Sequence, residues 1–265
     1  MLKQRVLTAL VIAPLALLLL FTLHGGWFAC FVGLIVAASG WEWSNLAGTE
    51  HPRDKTLFVL LLIALMALAW SSGIAYHIWP LWIALLGWLL NLYWVVAYPA
   101  RVEQWDSVLV RYMIGGWVLL PCWVGFLLLR EEPVWLLYVL LLVWGADISA
   151  YFAGRAFGKR KLAPHVSPGK SWAGVYGEMA GTLVLTLLMA VWQGFDVSTA
   201  LVLLVVSEVV TLSSVLGDLL ESMLKRQRGL KDSGRLLPGH GGMLDRIDSL
   251  TAAIPLFALL APWIG

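Results

Sequence analysis

Residues 222–248 read SMLKRQRGLKDSGRLLPGHGGMLDRID, and apolar runs long enough to cross a bilayer lie on both sides of them. Lys225, Arg226, Arg228, Lys231 and Arg235 come before Pro238. His240 follows between glycines, and Asp245 and Asp248 stand three residues apart where the next apolar run begins. A polar, glycine-rich segment of both charge signs between two spans is where chemistry at a membrane surface would sit. The flanking runs set the fold class: an all-α, polytopic transmembrane protein.

Composition agrees. Of 265 residues, 60% are hydrophobic, only 13% are charged and 16 are tryptophan; mean hydropathy is +0.83. A soluble domain of this length needs far more charge to cover its surface. Nine spans are expected, at about 6–23, 27–47, 57–71, 78–98, 112–129, 135–153, 173–192, 198–222 and 249–264, from runs of ~18 apolar residues. The first resembles a signal peptide without a small-residue cleavage site and reads as an uncleaved span. The third is short enough to be tilted or re-entrant. Trp27, Trp41, Trp43, Trp79, Trp135 and Trp263 fall near span ends, as an interfacial belt requires. Cys30 and Cys122 lie in apolar stretches without metal-ligand spacing and read as packed thiols.

Charge tests the count. With nine spans, the N-terminus shares a side with the segments after spans two, four, six and eight. That side collects every lysine and arginine of the chain except Arg130. The positive-inside rule then places the N-terminus and both large basic loops in the cytoplasm and the C-terminus outside. Two regions follow: residues 1–130, chemically sparse, and residues 131–265, which carry most of the candidate chemistry. In the first, Glu42 and Asn45 read as interfacial polar residues. Glu103 and Asp106 with Arg101 and Arg111 read as a solvated face.

In the second region, Asp147 sits in an otherwise apolar span, where a carboxylate is costly and functional by default; Tyr151, one turn on, could simply satisfy it. Ser167, Pro168, Gly169, Lys170 and Ser171 read as a tight turn before a span opening at Trp172. Backbone N–H groups and a hydroxyl at a helix start suit an anion, and Lys170 reads as a phosphate contact. Gly169-Lys170-Ser171 ends like a P-loop, but Pro164 holds the earlier glycine position and a membrane helix, not a strand, precedes it, so a P-loop is rejected. Asp218, Glu221, Ser222, Lys225 and Arg226 share one broad helical face. A Glu221–Lys225 surface pair would explain Glu221 but not the deeper Asp218. Asp245 and Asp248 after Gly239-His240-Gly241-Gly242 make a hard-cation site with room for a phosphate, completed by Asp218. With no cysteine or paired histidine, magnesium suits it better than zinc, alone or with a second cation. His240 reads as satisfying a phosphate oxygen or a loop group more than as a general base, since an ionised phosphate nucleophile needs none.

Ser222-x-x-Lys225-Arg226, Lys231-Asp232-x-Gly234 and Pro238-Gly239-His240-Gly241-Gly242-x-x-Asp245-Arg246-x-Asp248 together resemble the signature of the phosphatidate cytidylyltransferases (CDP-diacylglycerol synthases). The similarity extends over Asp147–Gly174 and the span layout; the N-terminal half is similar to bacterial members in hydropathy and length. One position departs: Ala173 stands where members often carry glutamate after the tryptophan. The resemblance implies an enzyme of the bacterial inner membrane, facing the cytoplasm. It would join CTP to phosphatidic acid with magnesium, giving CDP-diacylglycerol and pyrophosphate for phospholipid synthesis. It further implies a homodimer and no nucleic-acid partner. On it, Asp218, Asp245 and Asp248 hold the metal. Lys170, Lys225, Arg226, Lys231 and Arg246 neutralise phosphates; Asp232 and His240 join them in the catalytic loop, and Asp147, Ser167, Ser171 and Ser222 help bind substrate. Two alternatives remain: CTP-dependent transfer to another lipid phosphate, such as an isoprenoid-linked one, and an ion-coupled transporter using Asp147, Glu178, Glu208 and Asp218. Against the transporter stand the lack of an internal repeat and the concentration of charge in two loops.

Overall fold

The computed structural model describes residues 14–237, 239 and 241–264. Nine helices run through them: α1 (14–22), α2 (Gly25–Ala47), α3 (Pro52–Ser71), α4 (Trp79–Ala97), α5 (Val108–Arg130), α6 (Pro133–Phe157), α7 (Trp172–Gln193), α8 (Val197–Gln227) and α9 (Leu244–Leu260). From α2 to α8, seven are long and apolar enough to cross a membrane. The third expected span is a full 20-residue helix, because Pro52 opens it five residues earlier than hydropathy alone suggests. The first expected span lies mostly outside the described residues. The ninth is only 17 residues long and starts at Leu244, earlier than the expected boundary, with Asp245 and Asp248 on its opening turns as expected.

The helix ends follow local chemistry. Asp196 and Ser171 cap α8 and α7 by accepting from the N–H groups of Thr199 and Gly174. Gly48 ends α2 in the left-handed region at φ +93°. Next to it Arg111 is buried, ion-paired with Asp106, and donates to the last carbonyls of α2 at Leu46 and Ala47. The sequence reading of this segment as a solvated face is thereby corrected for Arg111: the orphan carbonyls of a helix end need a donor, and it supplies one.

At the centre lies α9, packed on α8, α5, α6 and α4. Close approach is permitted by glycines. A Cβ on Gly125 of α5 would meet Ile254 and Pro255 at about 3 Å, and one on Gly217 of α8 would strike the carbonyl oxygen of Asp248. Polar pairs join α6, α7 and α8: Tyr138 Oη bonds Thr186 Oγ1 (2.8 Å) and Ser207 Oγ (2.6 Å), and Thr182 bonds Thr211 (2.7 Å). The tryptophans divide. Trp27, Trp79 and Trp263 are well exposed, as belt residues should be. Trp43 is buried in the core, its indole N–H donating to the Arg111 carbonyl at 2.8 Å, and Trp135 stacks among Tyr138, Phe195 and Phe257. Those two leave the expected belt because each has a core partner.

Between α6 and α7 the chain forms a hairpin, β1 (Lys161–Ala163) against β2 (Ser167–Ser171), antiparallel with Lys161 opposite Ser171. The expected tight turn at 167–171 is thus a strand; the reversal lies at Pro164-His165. The loops after α2, α4, α6 and α8 meet at one end of the bundle. Asn45 Nδ2 reaches the Ser233 carbonyl, and Arg226 Nε reaches the Val166 carbonyl. The 31 residues of α8 span roughly 46 Å at ~1.5 Å per residue, against a hydrocarbon core of ~30 Å, so its last turns stand at that end.

Gly217→Ala should press α8 from Asp248 and cost about 1–3 kcal/mol by overpacking. The midpoint of thermal unfolding in detergent checks this: it should fall for Gly217→Ala and hold for Gly116→Ala, where a Cβ meets nothing within 4 Å.

Candidate active site

Two lysines organise the charged end of the bundle. Lys225, near the end of α8, donates to Glu221 Oε2 at 2.6 Å and to Asp245 Oδ1 at 2.9 Å. Asp245 also accepts from the backbone N–H of Gly242 (2.8 Å) and of Ser233 (3.1 Å to Oδ2). One carboxylate in the first turn of α9 therefore closes the 228–243 loop onto the end of α8. The second lysine, Lys170 on β2, donates to Asp218 Oδ2 at 2.7 Å, while Ser222, one turn along α8, donates to Asp218 Oδ1 at 3.1 Å. Burial works against the Lys170 charge, but Asp218, Glu178 and Asp147 outweigh it and hold the ammonium above the usual lysine range.

Asp147, Glu178, Lys170 and Asp218 line one cavity of about 380 Å³ with Ser171 and Tyr151. Tyr151 does not serve Asp147: its hydroxyl accepts from Arg155. Asp248 lies beside Asp218 and Glu221. The structure thus brings together Asp147, Lys170, Ser171, Asp218, Ser222, Lys225, Asp245 and Asp248. Arg226 ties the hairpin to α8 through the Val166 carbonyl. Lys231 and Asp232 point into a different cavity, described below. Ser167 lies at the far end of β2, and Arg246 is exposed on the first turn of α9. His240 lies outside the described residues.

The carboxylates suit a hard cation. Asp218, Glu221, Asp245 and Asp248 present only oxygen, and Glu221 Oε1 is buried without a hydrogen-bond partner. An acidic cluster with an orphaned oxygen needs a proton or a cation. Among the described residues no three such side chains stand in the spacing of a formed metal site; Lys170 and Lys225 hold Asp218 and Asp245 instead.

Sequence reasoning missed Glu42 and Asn45. Glu42 on α2 is buried and accepts from Leu244 N (2.9 Å), Ser233 Oγ (3.4 Å) and Leu236 N (3.4 Å). A side chain on Gly234 or Gly242 would collide with its carboxylate. Placing Glu42 at an interface overlooked the rule applied to Asp147, that a carboxylate within an apolar helix has a partner. Glu221 likewise proves to be more than half of a surface pair, being buried beside Asp248.

Glu42→Gln replaces one acceptor oxygen with a donor facing backbone N–H groups, a loss of about 1–3 kcal/mol. Trypsin cleavage at Arg235 in the folded, detergent-solubilised protein should accelerate about tenfold, as ~1.4 kcal/mol implies. An unchanged cleavage rate would show that the loop is held by other contacts.

Residues 3–263 match the cytidylyltransferase family. The chain is 48% identical to a phosphatidate cytidylyltransferase of Pseudomonas aeruginosa, covering 98% of this chain and 97% of that one. It is 41% identical to a phosphatidate cytidylyltransferase of Haemophilus influenzae (97% and 98%) and 38% identical to one of Brucella abortus (97% and 92%). With likeness running the full length of the chain, and with the signature loop folded against the carboxylates it carries, this protein belongs to the phosphatidate cytidylyltransferase family.

Proposed function

We propose that the chain transfers the cytidylyl group of CTP to phosphatidate, releasing pyrophosphate and CDP-diacylglycerol, at the cytoplasmic face of a bacterial inner membrane. The observation that carries the lipid reading is a shared wall. An apolar cavity of about 860 Å³, lined by Leu81, Trp88, Leu92, Leu216 and Leu219, meets the charged Asp147–Lys170 cavity at Val175. Leu216 and Leu219 flank Asp218 on α8. An amphipathic substrate with acyl chains in the one and a phosphate at the other fits this junction.

Both substrates are polyanions, so repulsion dominates the barrier. Lys170, Lys225 and Arg226 meet the phosphates, with Lys231 and Arg246 adding positive charge. Asp218, Asp245 and Asp248, joined by Glu221, would hold magnesium, which supplies charge neutralisation at the attacking and leaving oxygens. An oxygen of the lipid phosphate forms the new bond to the α-phosphorus of CTP. The bond from that phosphorus to the bridging oxygen breaks, and pyrophosphate carries away the electron pair. The nucleophile is already ionised, so no protein base is required.

Radiolabelled CTP incubated with purified protein and phosphatidate in detergent, with magnesium, should yield labelled lipid; label appearing only with another lipid phosphate would redirect the reading. Lys170→Ala should lower turnover at least tenfold, as loss of a charge-assisted contact of ~1.4 kcal/mol or more implies. Asp218→Asn and Asp245→Asn should lower turnover by several orders of magnitude, and Asp232→Asn less, because Asp232 is exposed on the loop. Near-normal transfer by Asp245→Asn at millimolar magnesium would refute its role.

Sidedness has its own test. In a Cys30→Ser background, a cysteine at position 228 should resist an impermeant thiol reagent in intact cells and react after lysis. Labelling from outside would invert the topology.

A further inference from the structure

A second polar cavity, of about 590 Å³, is lined in part by the signature loop. Its walls come from both halves of the chain: Asn45, Thr49, Glu50 and Lys55 from the α2–α3 corner, and residues 228 and 230–235 from the end of α8 and the loop. It gathers four cations, Lys55, Arg228, Lys231 and Arg235, against two carboxylates, Glu50 and Asp232. The four ion pairs found among the described residues include none of these cations. The cavity containing Asp147 has the reverse balance, with Asp147, Glu178 and Asp218 against Arg155 and Lys170. One cavity favours a cation and the other a polyanion.

We infer that this second cavity binds the β- and γ-phosphates of the nucleotide, the part that leaves as pyrophosphate, and that Lys55 and Arg228 are binding residues for it. The inference rests on the reaction proposed above and assigns a place within it. Contacts, with one turn of α8 between Ser222 and Lys225, lead from one cavity to the other. Lys170 holds Asp218, Ser222 follows on Asp218, Lys225 holds Asp245, and Asp245 accepts from Ser233 N, whose peptide lines the basic cavity. A displacement at phosphorus needs the attacking and leaving oxygens on opposite sides. With lipid phosphate beside Lys170 and pyrophosphate past Ser233, attack and departure belong to different cavities.

Lys55 is the decisive residue, because it comes from the half of the chain that carries little of the signature. Its ammonium donates to Asn45 Oδ1 at 2.5 Å, and Asn45 Nδ2 donates to the Ser233 carbonyl at 2.8 Å. An anion drawn to Lys55 is thereby held against the loop. Arg228 stands across the cavity, its guanidinium 3.4 Å from where a Cβ on Gly48 would lie. Two or three cations around a diphosphate are a common recognition pattern, worth far more than one.

The test uses the purified full chain in detergent, with inorganic pyrophosphate titrated by calorimetry and CTP kinetics measured in parallel. Lys55→Gln and Arg228→Gln should each weaken pyrophosphate binding and raise KM for CTP about tenfold. KM for phosphatidate should stay within about twofold, and Lys55→Arg should restore the affinity, which separates charge from support of Asn45. Pyrophosphate affinity unchanged in both glutamine variants overturns the inference, as does a rise in KM for phosphatidate in place of CTP. Failure of the wild-type protein to label phosphatidate from CTP would instead defeat the proposed reaction, and the pyrophosphate titration still reads the cavity directly.

Discussion

A buried carboxylate ties the first half of this protein to the signature loop of the second. Glu42 accepts from a backbone N–H and a hydroxyl of the segment between α8 and α9, and from the first N–H of α9. Those donors would otherwise be unsatisfied in a crowded, water-poor corner, and an unpaired buried N–H is costly. The loop is rich in glycine because the carboxylate lies where side chains would be: neither Gly234 nor Gly242 has room for a Cβ. Much of what places Ser233 against Asp245 follows from that anchorage. The chemically sparse half of the chain thus sets the shape of the half that bears the signature.

The same end of the bundle balances its charge internally. Six carboxylates, Asp147, Glu178, Asp218, Glu221, Asp245 and Asp248, crowd around Lys170 and Lys225. The lysines are shared out, one to Asp218 and one between Glu221 and Asp245. Each ammonium is a movable counter-ion on a flexible stem, so a polyanionic substrate can recruit it by rotation about the stem. The orphaned oxygen of Glu221 marks where the internal balance is incomplete.

Much of this was readable from residue order. Hydropathy located the spans α2 to α8, charge sign grouped the four basic loops that the fold brings to one end, and spacing put Asp218, Ser222 and Lys225 on one helical face; the direct pairing of Lys225 with Asp245 was not foreseen. What escaped has physical reasons. Glu42 stands in an apolar helix, which calls for a partner, but nothing local names that partner or marks Asn45, since theirs lie about 190 residues away in the chain. The hairpin at 161–171 is rich in lysine, proline and glycine, which lack strand propensity, and its extended form depends on pairing with itself and on packing against α7 and α8. Trp43 near a span end has the composition of a belt residue, and only the carbonyl of Arg111 draws it inward. In each case a long-range partner overrode a local rule.

The position of α9 bears on how the protein is made. This helix is 17 residues long, opens with Asp245, Arg246 and Asp248, and contains Pro255. A segment of that kind partitions poorly into lipid by itself, because each charge near the hydrocarbon costs several kcal/mol. Yet it occupies the middle of the bundle, against α4, α5, α6 and α8. Chain order resolves the conflict: the helix least able to enter a bilayer alone emerges from the ribosome after its four neighbours. They offer Gly125 and Gly217 as a preformed seat, and the arrival of α9 delivers Asp245 and Asp248 to Lys225 and Asp218. Assembly of the charged cluster is thus deferred until the rest of the bundle exists to shelter it.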